Sequence, residues 1–124
     1  MVVVLAVVGL VVIGLNSGVG TVMFSKAAYN TGSNCKFSEP VTTVTTTDPV
    51  YMIAFFKDTM EPSDVMTLNI TKDGASFANA SDTADKEFNC YIEQQSIGPL
   101  EAGVYKLTFT HNGTVEAEGT LTVK

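Results

Sequence analysis

His111 is the single imidazole in a chain of 124 residues, and an imidazole is the side chain best suited to general acid–base work near neutral pH. It stands directly before Asn112-Gly113, the strongest two-residue hairpin signal, so its expected role is that of a turn residue, and no catalytic residue is assigned. Two acidic loops, Asp58, Glu61, Asp64 and Asp82, Asp85, Glu87, carry the hard oxygen donors that Ca²⁺ takes. Neither has the spacing of a known calcium loop, so they read as solvated charge, with no metal and no cofactor expected. Phosphate-cradling glycine loops and dinucleotide fingerprints are absent from the sequence. Cys35 and Cys90 are an even pair that could form a disulfide or supply half of a tetrahedral metal set. With one histidine to complete a metal site, and an apolar leader that carries the chain out of the cytoplasm, the disulfide is favoured. Three amides sit in Asn-x-Ser/Thr sequons that can accept N-linked sugar: Asn69-Ile70-Thr71, Asn79-Ala80-Ser81 and Asn112-Gly113-Thr114. The pattern places Asn69 on the solvent face of a strand, Asn79 in a loop and Asn112 on a hairpin tip.

Composition narrows the partners. Seven lysines and no arginine face thirteen acidic residues, for a formal charge of −6. Phosphate neutralisation needs clustered cations, so a nucleic-acid partner is excluded. The acidic balance keeps a displayed surface soluble.

Every charged residue follows Ser25, which leaves Met1 to Phe24 without a single charge. An apolar segment of roughly 20 or more residues can cross a bilayer as a helix, and where water is excluded every backbone polar group needs an internal partner, which favours helix. The expectation is therefore one long hydrophobic α-helix over residues 1–29, spanning about 40 Å at 1.5 Å per residue. Gly9, Gly14, Gly18 and Gly20 make it rich in small residues, and Gly14-xxx-Gly18 has the spacing that lets helix backbones approach closely. No basic flank precedes the run, so Met1 reads as a processed end. The polar stretch Asn30 to Asn34 stops the helix, Gly32 suits the left-handed terminating position, and residues 30–36 form a hinge. Phe24 and Tyr29 then fall at the boundary between apolar and wet surroundings.

Residues 37–124 read as a head of seven short strands. Pro40 to Thr47 is rich in threonine and valine, Val50 to Lys57 is nearly continuous apolar, and Val65 to Thr71 alternates with the period of a half-buried strand. Lys72-Asp73-Gly74 turns the chain into Ala75 to Ala78. Glu87 to Gln95 alternates again with Phe88, Cys90 and Ile92 on one face. Val104 to Thr110 and Thr114 to Val123 flank the Asn-Gly hairpin. A long helix followed by a seven-stranded antiparallel sandwich is an α+β class of protein.

Gly98 to Lys106, GPLEAGVYK, resembles a turn of leucine, two residues, glycine, one residue and tyrosine found late in many bacterial and archaeal immunoglobulin-like domains. That resemblance implies that Leu100 plugs the bottom of the core, Gly103 permits a tight entry and Tyr105 begins the next strand. The whole arrangement, an uncharged N-terminal helix carrying a small β-head, resembles type IV pilin-like subunits, especially those of archaeal-type pili and archaellar filaments. Bacterial pilins usually carry glutamate at the fifth mature position, where this chain has Leu5; archaeal relatives often lack it. The resemblance implies a structural subunit of an extracellular, pilus-like filament. It would be membrane-inserted before assembly and then polymerise with itself through the helix, the heads exposed at the cell surface. Identical apolar helices packing head to tail build an open filament whenever the rotation does not close. The alternative is a single-pass, membrane-anchored extracellular binding domain.

Overall fold

The computed structural model describes residues 8–11, 18–30 and 34–124, and among these residues it is all-β, a curled mixed sheet closed into a half-barrel. Nine strands follow one another: β1 Val8–Leu10, β2 Thr21–Ser25, β3 Thr43–Val44, β4 Tyr51–Met60, β5 Val65–Lys72, β6 Ala75–Thr83, β7 Phe88–Ile92, β8 Gly103–His111 and β9 Thr114–Val123. They lie in the spatial order β1-β7-β4-β2-β9-β8-β5-β6, with β3 beside β9. The pairings are antiparallel except for β2 and β3, which both run parallel to β9.

The expected α+β class and the long N-terminal helix are not what the chain adopts. No helix among the described residues is long and apolar enough to cross a membrane. Gly9 lies in β1, opposite Tyr91 of β7. Gly18 and Gly20 lie in the turn that leads into β2, with Gly20 at φ +82°. Gly14, Leu5 and Gly32 are outside the described residues. The physical reason is in the side chains. A valine-rich run has modest helix propensity and high strand propensity, and a strand placed centrally in a sheet must be apolar on both faces. Strand β2 is such a strand: Val22 and Phe24 enter the main core while Met23 packs into a second cluster on the other face. For these last residues of the run, the missing charge thus has a source other than lipid.

The expected two-sheet antiparallel sandwich is also replaced, because β2 pairs with β4 on one side and touches β9 on the other. This link makes one continuous mixed sheet of two wings. One wing holds β1, β7, β4 and β2; the other holds β9, β8, β5 and β6. The main core fills the space between them, with Met52, Ala54 and Phe56 from β4 meeting Leu68, Ile70, Leu107 and Phe109 from β5 and β8. Phe109 stacks at tilted angles on Phe56, with centroids 5.7 Å apart, and on Tyr91, 5.3 Å apart. Each such side chain contributes roughly 1.5–3 kcal/mol on burial.

The near-continuous apolar run at Val50 to Lys57 has the same explanation as β2. Its odd residues Ile53 and Phe55 point away from the main core into the second cluster, with Cys35, Phe37, Cys90 and Ile92. Residues 34–37 cross over that outer face and cover it. Strand β3 is only two residues long, and β6 continues to Thr83, so Asn79 stands in mid-strand where a loop was expected. Leu100 is buried, and the Tyr105 hydroxyl donates to the Glu101 carbonyl at 2.8 Å, tying β8 to the turn before it.

Candidate functional site

The residues with chemical potential gather at one end of the half-barrel. The β4–β5 loop and the β6–β7 loop lie side by side there, since Ser63 N–H donates to the Ala84 carbonyl and Ala84 N–H to the Asp64 carbonyl, both at 2.8 Å. The β8–β9 hairpin closes the same end. His111 Nε2 sits 2.7 Å from Asp64 Oδ2, an ion pair when the ring is protonated. The Asn112 side chain completes the tie: its Nδ2 donates to Asp64 Oδ1 at 3.2 Å and its Oδ1 accepts from the Val65 N–H at 2.8 Å. Asn112 holds this position at φ +48°, the left-handed region that asparagine tolerates.

An aspartate beside a histidine is the orienting half of a nucleophilic triad. The remaining ring nitrogen of His111 carries no serine, threonine or cysteine partner among the described residues. The pair acts as a cross-tie between the β4–β5 loop and the hairpin. Backbone donation from Glu61 lowers the Asp64 carboxyl below the usual carboxylate range, with the Asn112 amide and His111 helping. A depressed folded-state pKa contributes stability that is present above the unfolded value and lost as pH falls through the folded one. Asp64→Asn is therefore expected to lower the melting temperature at pH 7 and to have no effect once the pH falls below the folded pKa. A pair of thermal melts at pH 7 and in strong acid checks this.

The two acidic loops expected to stay solvated meet at this end, yet no group of three or more His, Cys, Asp or Glu side chains among the described residues is placed to hold a metal ion. Glu116, almost fully buried, uses Oε1 to accept from the Asp58 N–H at 2.7 Å.

Glu93 is the second buried carboxylate among the described residues. It lies 3% exposed beside Tyr91, whose hydroxyl donates to Oε2 at 3.2 Å, while the Gln95 N–H donates to Oε1. Burial pushes its carboxyl above the usual range against these hydrogen bonds, and burial with the neighbouring carboxylate likewise raises the Tyr91 phenol. A raised carboxyl pKa means the folded state holds its proton more tightly than the unfolded state, so stability falls as pH rises from the unfolded pKa through the folded one. Glu93→Gln, which keeps the shape and removes the charge, is expected to raise the denaturation midpoint at pH 7 and leave it unchanged at pH 3. Alternation gives no signal for Glu93: it is out of step with Phe88, Cys90 and Ile92 and in step with Tyr91, which turns into the main core, as does Phe88, while Cys90 and Ile92 enter the second cluster.

The structure joins Cys35 to Cys90 as a disulfide, with Cα atoms 5.8 Å apart and both residues fully buried. Cys90 stands opposite Phe55 in the β4–β7 pairing. The Cys35 N–H donates to the Tyr29 hydroxyl at 2.9 Å, and Tyr29 meets Phe37 edge to face. The bridge thus clips the crossing segment 34–37 onto the outer face of the sheet. The three sequon asparagines are all exposed. Asn69 and Asn79 stand directly opposite each other on β5 and β6, and Asn112 is the hairpin residue described above.

Compared with known proteins, the chain matches no family model, no curated protein and no solved structure.

Proposed function

We propose that this chain works outside the cytoplasm as a non-enzymatic structural domain, displayed at the cell surface and acting through contact with other molecules. The observation that carries this reading is the buried Cys35–Cys90 disulfide, which closes a 55-residue separation and secures the segment covering the second apolar cluster. Disulfides of this kind persist in oxidising compartments and are rare in reducing ones. Use of the one histidine as a cross-tie, and of the buried carboxylates as hydrogen-bond acceptors for backbone, supports a role in holding a surface.

The test is labelling of intact cells with a membrane-impermeant amine reagent, followed by a thiol count on the recovered chain. Labelled Lys26, Lys36 or Lys86 and no free thiol are expected. Labelling only after lysis, with two free thiols, sinks the reading. Assembly of copies into an extracellular filament is the second reading, favoured by Val11 and Val19, which stay 42% and 43% exposed within the uncharged N-terminal run. Filaments containing this chain in sheared cell material would establish it, and their absence there would dismiss it.

A further inference from the structure

The fold distinguishes the three sequons sharply. Strand β6 hydrogen-bonds to β5 on one side and, among the described residues, has no strand on the other. It is nine residues long, Ala75 to Thr83, and Asp82 is its one charged residue. An open edge exposes a row of N–H and C=O groups that can template pairing with another chain, and proteins commonly guard such edges with lysine, proline or a very short strand. This edge has no lysine or proline and is long. At its centre, fifth of nine residues, stands exposed Asn79 in the sequon Asn79-Ala80-Ser81.

We infer that Asn79 is the N-glycosylation site of this domain and that its glycan guards the β6 edge. The surroundings of the other two sequons in the folded domain disfavour them. Asn69 lies on β5, which is paired on both sides, to β6 and to β8, and the middle residue of its sequon, Ile70, is 2% exposed in the core. Transfer to the folded domain requires the acceptor segment to be lifted from its neighbours, which costs less for β6, paired on one side, than for β5, paired on both. Asn69 and Asn79 are also direct cross-strand partners, whose Cβ atoms lie about 4.5–5.5 Å apart on one face, so one glycan leaves no room for a second. The Asn112 amide is already spent on Asp64 and Val65.

In the transfer the Asn79 amide nitrogen attacks C1 of the first sugar of a lipid-diphosphate-linked oligosaccharide. The new C–N bond forms as the C1–O bond to phosphate breaks. The lipid diphosphate leaves with the electron pair, and the nitrogen gives one proton to the transferase's base.

This inference rests on the placement outside the cytoplasm proposed above. The experiment is secretion of the full chain from an N-glycosylating host, with glycopeptide mapping, a thiol count on the same sample, and sedimentation of the native protein, the enzymatically deglycosylated protein and Asn79→Gln. One glycan at Asn79 is expected, unaffected by Asn69→Gln or Asn112→Gln. Loss of that glycan, by enzyme or by Asn79→Gln, is expected to raise the apparent mass about twofold as edges pair in closed dimers. Ser81→Ala, which removes the sequon and leaves Asn79 in place, is expected to behave the same way. A bare Asn79, a glycan at Asn69 or Asn112, or a deglycosylated chain that stays monomeric overturns the inference. A bare Asn79 together with an intact disulfide defeats the glycan and leaves the proposed function standing; two free thiols in the secreted chain defeat the placement itself.

Discussion

Gly119→Ala is expected to cost about 3 kcal/mol, at the upper end for forcing atoms into a packed interior. A Cβ at Gly119 would collide with the Val22 carbonyl oxygen, and would lie 2.8 Å from the Val22 Cβ and 3.0 Å from its carbonyl carbon. Two of these three obstacles are backbone, and that backbone is fixed, because Val22 is paired with Ala54 of β4 and the Glu118 N–H donates to the Gly20 carbonyl at 3.2 Å. The clash can be relieved only by separating β2 from β9, which opens the half-barrel where the two wings join. For a domain of this size each 1 kcal/mol lowers the melting temperature by roughly 4–8 °C, so a drop of more than about 12 °C is expected. Thr120→Ala, next along β9 but exposed, should shift it by no more than about 0.5 kcal/mol. The measurement also tests the architecture. If the N-terminal run stood apart from the sheet, the space beside Gly119 would be empty and the alanine would be silent.

Removing the disulfide with Cys35→Ala and Cys90→Ala together is expected to cost about 4 kcal/mol, from the chain entropy released by a loop of this length. The loop spans 55 residues and holds β3, β4, β5 and β6, so the unfolded chain gains a large share of its freedom. The loss is expected to be accompanied by exposure of Tyr29 and Phe37, because the crossing segment is fastened by the bridge and by the Cys35 N–H to Tyr29 hydroxyl bond. Urea titration followed by tyrosine fluorescence reads both effects: a midpoint shift for the stability, and a pre-transition slope for the loosened segment. A midpoint unmoved by reduction would mean that the second cluster holds without its clip.

Much of the strand layout was legible because each strand speaks through local chemistry. Met66, Leu68 and Ile70 alternate with polar residues since one face of β5 meets the core and the other meets water. His111-Asn112-Gly113 marks its hairpin because only such residues accept the backbone that turn requires, and Asn112 and Gly113 are both found at positive φ. Asn79 was misplaced in a loop for a local reason too: small polar residues on an exposed edge strand look like loop residues, and only pairing with β5 makes them strand.

What the amino-acid sequence determined is therefore the set of turns, the two-faced apolar character of residues 50–57, and the presence of an uncharged N-terminal run. What covers its last residues, Val22 to Phe24, was decided by the tertiary structure. A central strand with core on both sides and a helix in lipid ask for the same composition, since each removes charge from every direction, and periodicity cannot separate them where all positions are apolar. The pairing of Val22 with Ala54, the close passage of Gly119 against Val22 and the meeting of Cys35 with Cys90 are contacts between residues far apart in the chain. The same holds for Asp64 and His111, 47 positions apart, and for the cross-strand partners Asn69 and Asn79. Their chemistry is written in single residues, but their distances exist only once the sheet has curled.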